Sequence, residues 1–213
     1  MAERNLNNKV YQQIKQMMHN YEIIPGQRLT FSELAEKLGV SRTPVNNALT
    51  LLAKEGYLDF SPNQGYTVHQ LTREEADALY ELREILEIGA VDKAVKNVTP
   101  MKLKEMERRQ TVFKQAVDNK VSRGRFTIDQ EFHAYIVEMS GNQYLAEYFR
   151  EVYQRIFLRH RASPLRGDRA ITAPSEHQEV IEAFRHGDVE KAKQALTSHI
   201  RAGKDYIYSF IFE

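Results

Sequence analysis

Four side chains in this sequence have the donor types of a transition-metal site. Asp129 and His133 stand four residues apart within DQEFH. On a helix that spacing puts both side chains on one face, a turn apart. His177 and His199 lie in two later segments of helical character. If those helices line one cavity, three imidazoles and one carboxylate converge. Imidazole suits zinc, nickel, copper or iron, and the carboxylate admits manganese. Octahedral coordination would leave positions open for water or an anionic ligand. The same four residues could form a hydrolytic or oxygenase centre by activating water or oxygen. No general base stands beside them, however, so no catalytic residue is assigned. Spacing alone also leaves open an ordinary solvated Asp–His pair.

The elements that must position these residues read as helices from residue 72 onward. Thr72 with Glu75 forms a capping box and opens a long helix to Asn97. Thr99-Pro100 starts the next, running to about Asp118. A basic loop follows over Asn119 to Arg125. Helices are expected from Thr127 to Met139 and from Asn142 to about His160. An irregular loop spans Ala162 to Pro174. Ser175 with Gln178 caps a helix that ends before Gly187, and Asp188 caps the last one. Arg83 falls on the inner side of the first of these helices. A buried Arg needs an anionic partner. That partner is either Glu87, four residues on, or the carboxylate of a ligand held in a bidentate fork.

A different architecture precedes residue 70. Thr30 and Glu33 make a capping box, Leu34, Ala35 and Leu38 form one apolar face, and Gly39 stops that helix. Ser41 caps a second helix with Pro44 in its first turn and an apolar stripe of Val45, Ala48, Leu49 and Leu52. Two helices joined this tightly form a helix-turn-helix, whose second helix offers its first residues to a DNA major groove. Arg42, Thr43, Asn46 and Asn47 are exposed there, and all are types that reach base edges or phosphates. Tyr57–Phe60 and Tyr66–Val68 read as two strands around a turn-rich tip, Ser61 to Gly65. A hairpin in that position is a wing, with Gln64 and Gly65 at its tip.

The stretch VSRTPVNNALTLLAKEGYL and the following PNQGYTV resemble the winged-helix reader of the GntR family of bacterial transcription regulators. Three positions depart from the family pattern. Asn46-Asn47 stands for an Arg-Glu pair, and Gln64 for the wing Arg. Two cationic contacts are therefore missing, which implies weaker or differently specific DNA binding. DQEFH, Ser140-Gly141-Asn142, EHQEVIEAFRHGD and the closing Ala195 to Ile200 resemble the FCD ligand-sensing domain of the family's FadR-like branch. That resemblance implies a metal, zinc first and nickel or manganese otherwise, held by Asp129, His133, His177 and His199. It also implies a small carboxylate bound beside the metal, with Arg83 and Asn142 as effector contacts.

Composition sets the outer limits. The chain has 213 residues, 42% of them hydrophobic, and a net charge of +1. That is enough apolar content for a real core. Residues 1 to 71 carry seven Lys/Arg and six Asp/Glu, so the reader is nearly neutral and is not a non-specific polyanion binder. The absence of cysteine excludes disulfides, thiol catalysis and thiolate ligands. No run approaches the roughly 18 apolar residues of a membrane span. The first residues lack an apolar signal segment, so a cytoplasmic location is expected.

The expectation is a mainly α protein. Residues 1–70 form a winged helix-turn-helix, and residues 71–213 a helical bundle of about six helices that binds metal and effector and dimerises. The function expected is that of a homodimeric regulator, a repressor in the usual case, on a near-palindromic DNA operator. A small organic acid at the metal site modulates operator binding. The alternatives are a regulator that answers to the metal alone, or a metalloenzyme.

Overall fold

A computed structural model of the chain describes residues 2–121, 124–159 and 168–212. The chain separates into two compact units, Met1–Leu71 with Leu158–Arg161, and Thr72–Phe157 with Ala162–Glu213.

The first unit holds α1 (Ala2–His19), α2 (Phe31–Leu38) and α3 (Arg42–Lys54), with strands β1 (Arg28–Leu29), β2 (Leu58–Ser61) and β3 (Gly65–Val68). Thr30 accepts the backbone N–H of Glu33 at the start of α2, and Gly39 closes that helix at φ 65°, where a Cβ would be strained. Ser41 occupies the N-cap position of α3, but its side chain makes no capping hydrogen bond. α1 packs on α3 over Val10, Ile14, Val45, Leu49 and Leu52, all fully buried. The sheet has the order β1-β3-β2, antiparallel throughout, with Leu58 opposite Val68 and Ser61 opposite Gly65. The sequence reading has two strands. The third, β1, pairs Arg28 and Leu29 with Thr67 and Tyr66, and two residues are too few to show an alternation.

The second unit contains six helices among the described residues: α4 (Arg73–Lys96), α5 (Pro100–Asp118), α6 (Arg125–Met139), α7 (Gln143–Leu158), α8 (Asp168–Arg185) and α9 (Val189–Ile211). The Thr72–Glu75 capping box is complete, and Thr99 and Asp188 cap α5 and α9. α4 packs on α6 and α9, α5 on α6 and α8, and α8 on α9. Val91, Phe132, Ile136, Ile181, Phe184 and Leu196 form the centre of the core.

Two boundaries differ from expectation. α6 begins at Arg125, after Gly124 at φ 80°. α8 begins at Asp168 and runs through Pro174, so Ser175 lies inside it. Ser175 Oγ donates back to the carbonyls of Thr172 and Ile171 instead of capping. Residues 122 and 123 of the expected basic loop, and 162–167 of the expected irregular loop, lie outside the described residues.

Candidate metal centre and DNA-reading face

α6 carries Asp129 and His133 on one face, α8 carries His177 and α9 carries His199. The packing of α6, α8 and α9 brings these side chains together, so that one ligand-type atom from each lies within 4.8 Å of the others. All three imidazoles are buried, His133 and His177 completely. His133 Nε2 stands 3.0 Å from His199 Nε2, and His177 Nε2 stands 3.3 Å from the same atom. His177 Nε2 is 3.4 Å from Asp129 Oδ1, and His133 Nε2 is 3.9 Å from Asp129 Oδ2.

Each imidazole is held through its other nitrogen. His133 Nδ1 is 2.6 Å from Glu87 Oε2, His199 Nδ1 is 2.8 Å from Glu176 Oε2, and His177 Nδ1 is 2.9 Å from Gln110 Oε1. Ionised carboxylates only accept, so the proton sits on Nδ1 of His133 and His199. Gln110 donates its Nε2 to the Pro174 carbonyl, which turns its oxygen toward His177 and sets the same tautomer there. Every Nε2 therefore directs a lone pair inward. Three lone pairs and a carboxylate at these separations repel one another unless a cation lies among them. Neutral imidazoles with oriented outer partners are the arrangement that binds a divalent transition metal. The donor set fits such an ion, with His133, His177, His199 and Asp129 as its ligands.

The electrostatics agree with that donor state. Burial pushes the His177 imidazole well below its usual value and holds His199 down at about 4. Burial works against the Asp129 charge, but the three histidines and Arg83 keep its carboxyl far below the ordinary carboxylate range. Burial and Asp129 push the Tyr153 phenol up, so it stays protonated and donates to Asp129 Oδ2. Phe132 stacks on His177 at 4.1 Å between ring centroids, and Phe113 packs at 4.6 Å.

A cavity of about 40 Å³ opens beside Asp129 and His199, lined also by Arg83, Arg125, Tyr153 and Arg169. That is room for a few waters. Arg83 is buried on α4, with Nε donating to Glu87 Oε1 at 2.6 Å. Its Nη2 is buried and has no hydrogen-bond partner among the described residues. Arg83 thus meets both partners considered from sequence, Glu87 directly and the cavity with its spare nitrogen. Asn142 does something else. Its Oδ1 accepts the backbone N–H groups of Tyr144 and Leu145 at the start of α7, and it does not line this cavity. Sequence reading missed Gln110, Glu176, Tyr153 and Arg169. Glu176 beside His177 was the one local signal available.

In the first unit Arg42, Thr43, Asn46 and Asn47 are exposed on the first two turns of α3, while Val45, Ala48 and Leu49 face inward. Tyr66 in β3 ties the wing to α3, with its hydroxyl 2.9 Å from Thr50 Oγ1. Asn63 at φ 64° and Gly65 at φ 85° turn the wing tip. Arg28, Arg42, Asn63, Gln64 and Gly65 line one groove, which the wing shares with the start of α2. Arg28 was not assigned to this face from sequence.

A winged helix-turn-helix followed by a helical unit with a buried Asp/His cluster defines a DNA-binding transcription regulator with a sensing domain. The chain belongs to the GntR family. Residues 6–68 match the family described as bacterial regulatory proteins, gntR family, and residues 78–202 match the FCD domain. An uncharacterised HTH-type transcriptional regulator of Streptomyces ambofaciens is 31% identical over 93% of this chain and 83% of its own length. The Bacillus subtilis regulator YdhC is 29% identical over 89% of this chain and 85% of its own length. The solved structure of Escherichia coli McbR/YncC superposes with a TM-score of 0.81 at 25% identity, covering 96% of this chain and 97% of that one. The families matched are regulators and not enzymes, which sets aside the metalloenzyme alternative. No helix among the described residues is long and apolar enough to cross a membrane.

Proposed function

We propose that the protein is a homodimeric repressor whose operator binding is modulated by a small carboxylate bound beside a divalent metal, zinc first among the candidates. The observation that carries this reading is the convergence of three inward-facing Nε2 atoms and Asp129 on one point, next to a cavity with an orphaned Arg83 nitrogen. A divalent ion held by Asp129, His133, His177 and His199 would supply positive charge to attract an anionic group. Arg83 then orients that group with its spare Nη2. Binding that favours one arrangement of the two readers over another changes operator affinity by that difference. Each reader addresses one half of a near-palindromic site through Arg42, Thr43, Asn46 and Asn47, with Gln64 and Gly65 at the adjacent backbone. Working in the cytoplasm would give it access to both DNA and metabolites.

Fluorescence anisotropy against DNA flanking the coding region, with and without zinc and an acid panel, tests the scheme. Release of DNA by an acid only in the presence of metal is the expected result. A second reading, in which the ion itself is the signal, is favoured by the small volume of the cavity. Binding that answers to metal and to no acid selects it.

Three substitutions separate the two sites. Arg42→Ala should weaken operator binding about tenfold and flatten the log–log salt dependence by about one, since one phosphate-type cation is lost. An unchanged salt slope removes Arg42 from the interface. His177→Ala and His199→Ala should each lower zinc affinity about a hundredfold or more, because each deletes one of four ligands. Full zinc content in both dialysed variants, measured by atomic emission, refutes the ligand assignment.

A further inference from the structure

The charge of the nearly neutral first unit is unevenly spread. The wing, residues 58–68, contains no Lys or Arg and one acid, Asp59. Lys15 lies 3.9 Å from Glu55 and Lys37 lies 2.8 Å from Glu22, so two of the unit's cations answer its own carboxylates. Lys9 and Lys54 are exposed but do not line the groove that the wing shares with the start of α2. Arg28 and Arg42 both line that groove, and no Asp or Glu among the described residues lines it with them. Neither arginine has an ion pair or a side-chain hydrogen bond among the described residues, and both are exposed.

β1 fixes Arg28 in that place. Leu29 is buried, and successive side chains of a strand alternate, so Arg28 takes the opposite, open face. Its Cα stands opposite Thr67 of β3. Two further backbone bonds of 2.9 Å, Val68 N–H to the Gln27 carbonyl and Gly26 N–H to the Val68 carbonyl, hold the short strand against the wing. Phe31 and Phe60 are apolar walls of the same groove, packed on Tyr66 at 5.9 and 5.1 Å between ring centroids. Charges of one sign between walls of low dielectric concentrate their field on an incoming polyanion. Asn63 and Gln64 at the wing tip add hydrogen-bond donors to the groove and no charge.

We infer that Arg28 is a DNA-positioning residue, which holds a backbone phosphate of the strand that passes Arg42 and the wing tip. It supplies the charge that the wing itself lacks. This rests on the reading of Arg42 as an operator contact, because one groove joins the two arginines. A guanidinium suits the role, since its planar fork matches two oxygens of one phosphate. Contacts of this kind set register and orientation on the duplex and carry no base sequence. Arg28 therefore governs how firmly the wing is seated, while the exposed side chains of α3 govern which bases are chosen.

The test is fluorescence anisotropy of the full-length protein, with zinc present, on two duplexes of equal length over a range of salt. One duplex is DNA flanking the coding region and the other is a random sequence. Arg28→Gln should weaken binding to both about fivefold. It should also flatten the log–log salt dependence as much as Arg42→Ala does, by about 0.9 for each phosphate released. Arg28→Lys should keep the wild-type slope, because it keeps the charge. Adding Gln64→Arg to Arg28→Gln should restore the slope, because it returns a cation to the same groove. The melting temperature of free Arg28→Gln should match the wild type, since the side chain is exposed. A wild-type slope in Arg28→Gln, with Arg42→Ala flattened, overturns the inference and leaves Arg42 standing. A loss on the flanking DNA alone makes Arg28 a base reader and overturns the positioning role. Equal losses in Arg28→Gln and Arg28→Lys make it a structural residue and overturn it as well. Wild-type protein that binds neither duplex defeats the Arg42 contact and this inference together.

Discussion

Glu87→Ala should destabilise the second unit by about 3–5 kcal/mol, the usual cost of breaking a buried ion pair by removing one partner. Glu87 is fully buried and sits between two hydrogen-bond donors, Arg83 Nε and His133 Nδ1, each 2.6 Å away. Burial alone would raise its carboxyl, but His133 and Arg83 hold it down at about 2, so it is ionised under all ordinary conditions. Without it the Arg83 charge keeps no directly bonded carboxylate, only the longer-range attraction of Asp129 and the faces of Tyr153 and Tyr80, 4.7 and 5.9 Å from the guanidinium carbon. Those contacts are worth a fraction of a carboxylate. For a unit of this size the loss corresponds to a melting temperature lower by roughly 6–20 °C. Differential scanning calorimetry reads it directly. A double variant, Arg83→Met with Glu87→Leu, should recover most of the loss, because it removes both charges together. A change below about 0.5 kcal/mol in Glu87→Ala, the scale of a surface substitution, would show that the pair is solvated.

Local signals carried the sequence reading a long way. The capping box at Thr72, the Pro at the start of α5 and the αL glycine after α2 are chemistry within four residues, and each stands in the structure where its residues fall. The Asp129–His133 pair is visible for the same reason, since one helix turn brings the two together. What the sequence did not show is everything that depends on packing between distant elements. Gln110 meets His177 across 67 positions, Glu87 meets His133 across 46, and no periodicity links them. These outer partners decide which nitrogen carries the proton, so the state of the ligands could not be read from the ligands alone. Misread punctuation explains the α8 boundary. Pro174 and Ser175 look like a stop and a cap, yet Pro174 is tolerated inside the helix and its carbonyl serves Gln110.

The metal-free protein should lose stability as the pH falls from about 6.5 to about 4, before ordinary acid unfolding begins. In the folded state burial holds His199 at about 4, while its usual value is 6.5. Between those values the unfolded chain binds a proton that the folded chain refuses, so stability falls as pH drops. The loss from His199 alone approaches about 3 kcal/mol. His177 is depressed by burial too and adds in the same direction. The carboxylates act over a lower range. Glu87 and Glu176 lie at about 2 against an ordinary 4.5, because the arginine and histidine beside each outweigh burial. Their contribution is complete above 4.5 and disappears as pH falls toward 2. Chelated protein should therefore show a melting temperature that drops in two steps, the first between pH 6.5 and 4. Zinc at a thousand times its dissociation constant should add about 4 kcal/mol at neutral pH. That gain should shrink through the first step, where protons compete for the same Nε2 lone pairs. His199→Ala should shrink the first step in the chelated protein, leaving the His177 part, and should move the Glu176 part of the second step to higher pH, because Glu176 loses one of the partners that hold it down. A melting temperature of the chelated wild type that stays level from pH 7 to 5 would mean that the imidazoles titrate normally and that the cluster is open to water.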